Sequence, residues 1–226
     1  MGNYTTKPEL RATVGRASSL ATIRSNNFGA PGGNAAHAFV ILLLMERTTY
    51  IAFLRGINIG GQRVKMERLR ALFSELGCGN VRSHIQTGNI FFETAEPDRG
   101  ALSHKIEQHL AAALGYAVPA FLRTVPEVEH ALQLDPFKHL TATPDTRFLI
   151  TFISRPLPAT LKLPHISPRN DYEILLATPG EVFSLLRIVE GRPSNPATFI
   201  EKTCGAKTTS RFYATTVKIL EAAKNV

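Results

Sequence analysis

The sequence predicts an α+β protein, in which a ferredoxin-like β-α-β-β-α-β domain is followed by a second, smaller α+β domain. From residue 45 onward, short apolar runs alternate with helical repeats in that order. The 226 residues are enough for one large domain or two small ones. Hydrophobic residues make up 44% and charged residues 19%, which is typical of a globular chain rather than a disordered one.

The first half of the chain contains the six ferredoxin-like elements. The run Tyr50–Leu54 is apolar throughout, as expected of a strand buried on both faces. After a glycine-rich stretch, apolar residues recur at helical spacing from Met66. Gly88-Asn89 is a hairpin turn signal between two further strands. The predicted elements are strand 50–54, helix 66–76, strands 81–86 and 90–93, helix 98–114 and strand 118–123.

The second half is predicted to contain a hairpin and three helices. Alternating apolar residues indicate a strand at 146–154, and Thr178-Pro179-Gly180 is the turn of a hairpin. The last helix is predicted from about Ser210, which puts Arg211 in its first turn, where the helix dipole disfavours a cation. We therefore expect an acidic side chain or an anionic ligand beside Arg211. The other predicted elements are helix 126–134, strands 172–177 and 182–189, and a helix ending near Gly205.

The first 44 residues differ from the rest. They are rich in Ser, Thr, Asn, Gly and Ala and have no apolar periodicity, so they are predicted to be a disordered extension ahead of Met45. A secretory signal and an organellar transit peptide are the alternatives, but the apolar run Ala38–Leu44 fits both poorly. The predicted domains are therefore the extension 1–44, the ferredoxin-like domain 45–124 and the second domain 125–226.

Composition excludes several functional classes. Two cysteines, Cys78 and Cys204, cannot form a disulfide framework or a four-cysteine zinc site. The longest apolar run is far short of the ~20 residues of a membrane helix. Histidine spacing predicts no metal site, and no cofactor motif occurs. We expect a cytoplasmic protein without metal, cofactor or membrane partner. The net charge of +8 does not by itself establish nucleic-acid binding.

The loop between the first strand and the first helix is the first candidate site. It contains Gly56, Gly60 and Gly61, where backbone N–H groups can approach an anion close to a helix N-terminus. Arg55 and Lys65 are predicted to flank such a ligand. The alternative is a flexible turn whose glycines adopt positive φ.

Topology brings a second turn to the same place. In the β-α-β-β-α-β order the third strand lies between the first and the second, which run parallel. The glycine loop with Asn58 is then expected beside the turn Gln86-Thr87-Gly88-Asn89. Two polar, glycine-containing turns at one end of a sheet favour a binding site, although ordinary hairpin chemistry explains the second turn equally well.

These motifs resemble a known family. The segments YIAFLRGINIGG (50–61), Lys65-Met66 and HIQTGNIF (84–91) are similar to the mostly bacterial family called domain of unknown function 1697. Residues 209–215 are similar to the family's TTRNWNT segment, with Phe212, Tyr213 and Ala214 replacing Asn, Trp and Asn. The resemblance covers about residues 45–226. It implies two α+β domains, the first ferredoxin-like, and no particular activity.

The leading functional hypothesis is binding of a phosphate-bearing ligand, a nucleotide or RNA, where the two turns meet. The alternatives are an enzyme of unknown reaction that uses the same corner and a protein-interaction module that acts by sheet-edge pairing. No general base is evident in the motifs, which disfavours the enzyme. The predicted ligand-binding residues are Arg55, Gly56, Asn58, Gly60, Gly61, Lys65, Gln86, Thr87, Gly88, Asn89 and Arg211.

Overall fold

A computed structural model describes residues 47–61, 63–193 and 195–225. The prediction for residues 1–44 lies outside these ranges. The described residues belong to one compact unit with two antiparallel sheets and five helices. The α+β fold class is confirmed. Within the described ranges, every helix is too short or too polar to cross a bilayer.

The first sheet has the predicted ferredoxin-like topology. Its strand order is β2-β3-β1-β4, and every neighbouring pair is antiparallel. The β2 strand ends three residues earlier than predicted, which makes the turn before β3 longer. The elements are β1 (Thr48–Leu54), α1 (Met66–Glu75), β2 (Gly79–Ser83), β3 (Asn89–Thr94), α2 (Arg99–Leu114) and β4 (Ala120–Thr124).

The second sheet has the order β10-β5-β8-β7-β6, and the short strand β9 pairs with β8. The domain boundary between residues 124 and 125 stays a prediction. At this point β4 leads directly into α3. The elements are α3 (Val125–Gln133), β5 (Thr146–Ile153), β6 (His165–Ile166), β7 (Tyr172–Ala177), β8 (Glu181–Val189), β9 (Arg192–Pro193), α4 (Ala197–Cys204), β10 (Thr208–Phe212) and α5 (Tyr213–Lys224).

The β1 strand separates two hydrophobic clusters, because its successive side chains point to opposite faces of the sheet. Tyr50, Ala52 and Leu54 pack against α1 and α2. Ile51 and Phe53 face the second sheet, together with apolar residues of α3 and α5. The two sheets therefore share a core, and the site described below lies at one end of β1.

The start of the last helix was predicted wrongly. Residues 208–212 form β10, which pairs with β5 from Thr208↔Ile153 to Phe212↔Leu149, and α5 begins only at Tyr213. Arg211 is therefore a strand residue and not part of a first helical turn. The segment contains residues that cap helices well, but the edge of β5 offers it a full ladder of backbone hydrogen bonds.

Candidate functional site

The loop after β1 and the turn between β2 and β3 meet, as the topology predicts. The side-chain Nδ2 of Asn58 donates to the carbonyl oxygen of Gln86 at 2.8 Å, and its Oδ1 accepts from the N–H of Val64 at 2.7 Å. The N–H of Leu54 donates to the carbonyl oxygen of Gly88 at 2.8 Å. We call residues 55–65 and 84–88 together the glycine corner.

Gly88 serves close packing within this corner. Its φ is +73°, and a Cβ added to it would lie 2.9 Å from Cγ1 of Ile57 and 3.1 Å from Cβ of Leu54. Any side chain at position 88 would therefore push the turn away from the loop. Gly56, Gly60 and Gly61 also have positive φ, but the space around each is open. The last three glycines thus leave their backbone accessible to a ligand.

Asn89 lies beneath the turn and is fully buried. Its Nδ2 donates to Oγ1 of Thr87 at 2.9 Å and to the carbonyl oxygen of His84 at 3.3 Å. Its Oδ1 accepts from Nε of Arg211 at 2.8 Å. Because both ends of the amide are occupied within the protein, Asn89 positions the turn and has no free group for a ligand.

Arg211 reaches from β10 across to the first sheet. Besides Asn89, its guanidinium donates to the carbonyl oxygens of Leu54 at 3.0 Å and Thr87 at 2.9 Å. It also donates to Oγ1 of Thr209 at 3.0 Å and to the carbonyl oxygen of Ser210 at 2.9 Å. Its three nitrogens thus donate to five oxygens, and the guanidinium ties the second sheet to both turns of the glycine corner.

None of these five oxygens carries a charge. The acidic side chain that is one of the two partners expected beside Arg211 is not among its contacts in the described residues. Burial lowers the pKa of Arg211 to about 10, so the group stays cationic at neutral pH. The guanidinium also lies over the ring of Phe53, with Cζ 5.8 Å from the centroid. A positive charge without a carboxylate partner therefore lies directly behind the corner.

Arg55 has a different environment. Its Nη1 forms an ion pair with Glu201 of α4 and donates to the carbonyl oxygen of Thr208 at 3.0 Å. The Glu201 carboxylate also accepts from the N–H of Thr208 at 3.0 Å. Arg55 thus holds the loop to the segment between α4 and β10, and its charge is compensated inside the protein.

The Arg55–Glu201 pair makes stability depend on pH. Burial raises the pKa of Glu201, but hydrogen bonds from Arg55 and Thr208 outweigh it and lower the pKa below 4.5. The pair therefore stabilises the fold above the unfolded pKa and loses its effect as pH falls through the lower folded pKa. We expect Glu201→Gln to cost about 0.5–1 kcal/mol at pH 7. The cost should be smaller at pH 3 than at pH 7.

Urea unfolding at pH 7 and pH 3 measures this dependence. Glu221→Gln is the matched control, because Glu221 is exposed and has no ion pair among the described residues. It should change little at either pH. An equal cost of Glu201→Gln at both pH values would contradict the assigned pair.

The remaining predicted residues are available to a ligand. Lys65, Gln86 and Thr87 are exposed, and the Thr87 hydroxyl accepts from Asn89, which leaves its O–H free to donate. The N–H groups of Gly60 and Gly61 donate to no acceptor within the described ranges. Gly60 and Gly61 are exposed like these three residues.

Two further features were missed from sequence. Arg63 is exposed in the same loop. Its position between Gly61 and Lys65 could have identified it as a further candidate for ligand binding. Ile85 is exposed and has φ +51°, which is an outlier for a β-branched residue. Backbone strain of this kind is concentrated at functional sites. No sequence pattern indicates it.

The segments that meet at the corner have one sign of charge. Residues 55–65, 84–89 and 207–212 contain five arginines and lysines and no acidic residue. Glu201 of α4 forms an ion pair with Arg55. The other four cations have no acidic partner within these three segments. The part of the chain that the structure describes contains no group of side chains able to hold a metal ion. The segments that meet at the corner are therefore basic.

Fold and site together define a class: a two-sheet α+β protein with a ferredoxin-like first sheet and a basic glycine corner. The family model described as protein of unknown function (DUF1697) matches residues 47–183, more than half of the chain. The chain belongs to this family, as its motifs predicted. No curated protein matches it.

The chain is similar in fold to a solved bacterial structure. It is described as the structure of conserved bacterial protein SP0830 from Streptococcus pneumoniae. The match has 22% sequence identity and a TM-score of 0.55, and it covers 79% of this chain and 100% of the other. At this identity the similarity shows a shared fold alone.

Proposed function

We propose that the protein binds a phosphate-bearing ligand, a nucleotide or RNA, on the solvent side of the glycine corner. The observation that carries this proposal is the Arg211 guanidinium, which among the described residues donates only to neutral oxygens and lies behind both turns. A cation withdrawn from water without a carboxylate attracts an anion more strongly than a solvated one does.

The groups that contact the ligand are on the outer surface. The N–H groups of Gly60 and Gly61 and the hydroxyl of Thr87 donate to phosphate oxygens, and Lys65 supplies a mobile charge. Arg211 contributes its charge from behind and keeps the turns in place. Arg55 contributes through its pair with Glu201 and does not touch the ligand.

A cytoplasmic location fits the proposed ligands. Both cysteines are free thiols, and a reducing compartment keeps them so. The enzyme alternative has less support. The segments that form the corner contain no carboxylate to serve as a general base.

Binding of ATP and of a labelled single-stranded RNA tests the proposal. Lys65→Ala should weaken binding of the preferred probe about tenfold, close to the value of one charge-assisted hydrogen bond. The salt dependence of binding distinguishes the two ligands. When the logarithm of the RNA affinity is plotted against the logarithm of the salt concentration, the slope is about −0.7 for each phosphate contacted. ATP, with its few phosphates, should show a shallow dependence.

Lys162→Ala is the matched control. Lys162 is exposed and lies outside the three segments, so its removal changes the net charge equally. It should leave binding within about twofold, because exposed charges far from a ligand are screened by salt. If the two lysine variants weaken binding equally, the affinity comes from overall charge and the corner is not the site.

A further inference from the structure

An open cleft of about 1000 Å³ lies along β4, away from the glycine corner. The first turn of α2 and the length of α3 form one side, and the turn between β7 and β8 forms the other. Its lining is mainly apolar and includes Leu122, Ala131, Leu134 and Leu176. We call this space the β4 cleft. None of its residues was predicted from sequence to bind a ligand.

The backbone of β4 forms the floor of this cleft, because β4 is an edge strand that pairs only with β1. The N–H of Arg55 donates to the carbonyl oxygen of Pro119. In an antiparallel pair, every second residue of a strand forms hydrogen bonds to the partner strand. Counting from Pro119, the backbone groups of Phe121 and Arg123 therefore bond to β1. The N–H and C=O groups of Ala120, Leu122 and Thr124 point outward.

Side chains already occupy most of these outward groups. The N–H of Ala120 donates to Glu107 at 2.8 Å, and its carbonyl oxygen accepts from Ser103 at 3.0 Å. The carbonyl oxygen of Leu122 accepts from Nη1 of Arg123 at 2.8 Å. The N–H of Thr124 donates to Glu127 at 2.8 Å. A peptide strand adding to β4 would find these positions taken, which disfavours sheet-edge pairing here.

One outward N–H donor is left over. The N–H of Leu122 donates to no acceptor within the described residues, although Leu122 is only 2% exposed and lines the cleft. Buried backbone N–H groups are almost always paired. A single donor at the floor of an apolar cleft is the arrangement expected of a small-molecule site.

The charges around the cleft cancel. Nε of Arg123 donates to Oε1 of Glu181 at 2.6 Å, and both side chains are buried. Nη2 of Arg99 donates to Glu127 at 2.8 Å. Arg123 also donates to the carbonyl oxygens of two neighbouring residues, so little of its charge is available. An anionic ligand would gain less here than at the glycine corner.

We propose that the β4 cleft binds an uncharged, mainly apolar small molecule whose carbonyl oxygen accepts a hydrogen bond from the N–H of Leu122. Apolar residues of α3 and β7 cover the body of the ligand. This site is separate from the glycine corner, and the proposal does not depend on the phosphate ligand.

The uncharged dye Nile red, which carries a ring carbonyl, is the probe. Its fluorescence should report saturable binding to the full chain, and the Leu122 amide should show the largest proton shift in a heteronuclear spectrum. Leu134→Glu should weaken binding about tenfold, because it places a charge against an apolar ligand. Leu134 is 37% exposed, so the variant should fold.

Leu140→Glu is the control, because Leu140 is 39% exposed and does not line the cleft. It should leave the dye affinity unchanged. Equal weakening by both variants, an unshifted Leu122 amide in the complex, or no saturable binding would each overturn the proposal. Competition by inorganic pyrophosphate would also overturn it, since it would place the dye at the glycine corner.

Discussion

Phe152→Ala should lower the free energy of unfolding by about 3–5 kcal/mol, the range for a fully buried phenylalanine. Phe152 of β5 is 1% exposed, and its ring stacks on that of Phe53 with centroids 3.8 Å apart and planes inclined by 15°. Arg123 lies over the same ring at 5.8 Å. The substitution empties the space between the two sheets, which limited repacking cannot refill.

Urea unfolding followed by circular dichroism measures this loss. Phe212→Ala is the control, because Phe212 is the same residue type on the neighbouring strand and is 53% exposed. Its removal should change stability by less than about 0.5 kcal/mol. If Phe152→Ala costs less than about 1 kcal/mol, the two sheets do not share the core described above.

Arg211→Met should lower both the free energy of unfolding and the affinity for the ligand. The apolar side chain leaves Asn89 Oδ1 and the carbonyl oxygens of Leu54 and Thr87 without this donor. The expected cost is about 3 kcal/mol, because each buried acceptor left unpaired costs ~1–3 kcal/mol. The affinity for ATP or RNA should fall more than tenfold, because the charge behind the corner is gone.

Arg211→Lys separates the two effects. It keeps the charge but cannot donate to five oxygens, so it should lose much of the stability and retain part of the affinity. Binding is measured where each variant is still folded by circular dichroism. If folded Arg211→Met binds as tightly as the unsubstituted chain, the buried charge is not the basis of binding.

Local patterns predicted most of the first sheet. The apolar run of β1 and the helical repeats of α1 and α2 identify six elements, and the handedness of crossover connections then brings Asn58 beside Gln86. That convergence required no knowledge of side-chain contacts. The motifs also identified the family correctly.

The errors concern contacts between distant parts of the chain. Glu201 pairs with Arg55 across 146 positions, and no local pattern predicted this partner. Residues 208–212 form a strand only because β5 presents an edge to them. The walls of the β4 cleft come from four separate segments, and none of their residues was predicted to bind a ligand. Tertiary packing decides such features, and local propensity does not.

Titration of the full chain with inorganic pyrophosphate tests whether the glycine corner binds phosphate. Backbone and arginine N–H resonances are followed in heteronuclear spectra. The account predicts the largest shifts at the N–H groups of Gly60 and Gly61, at Thr87 and at Nε of Arg211, with saturation. Shifts concentrated on other surfaces, or no saturable shift at the corner, would contradict it.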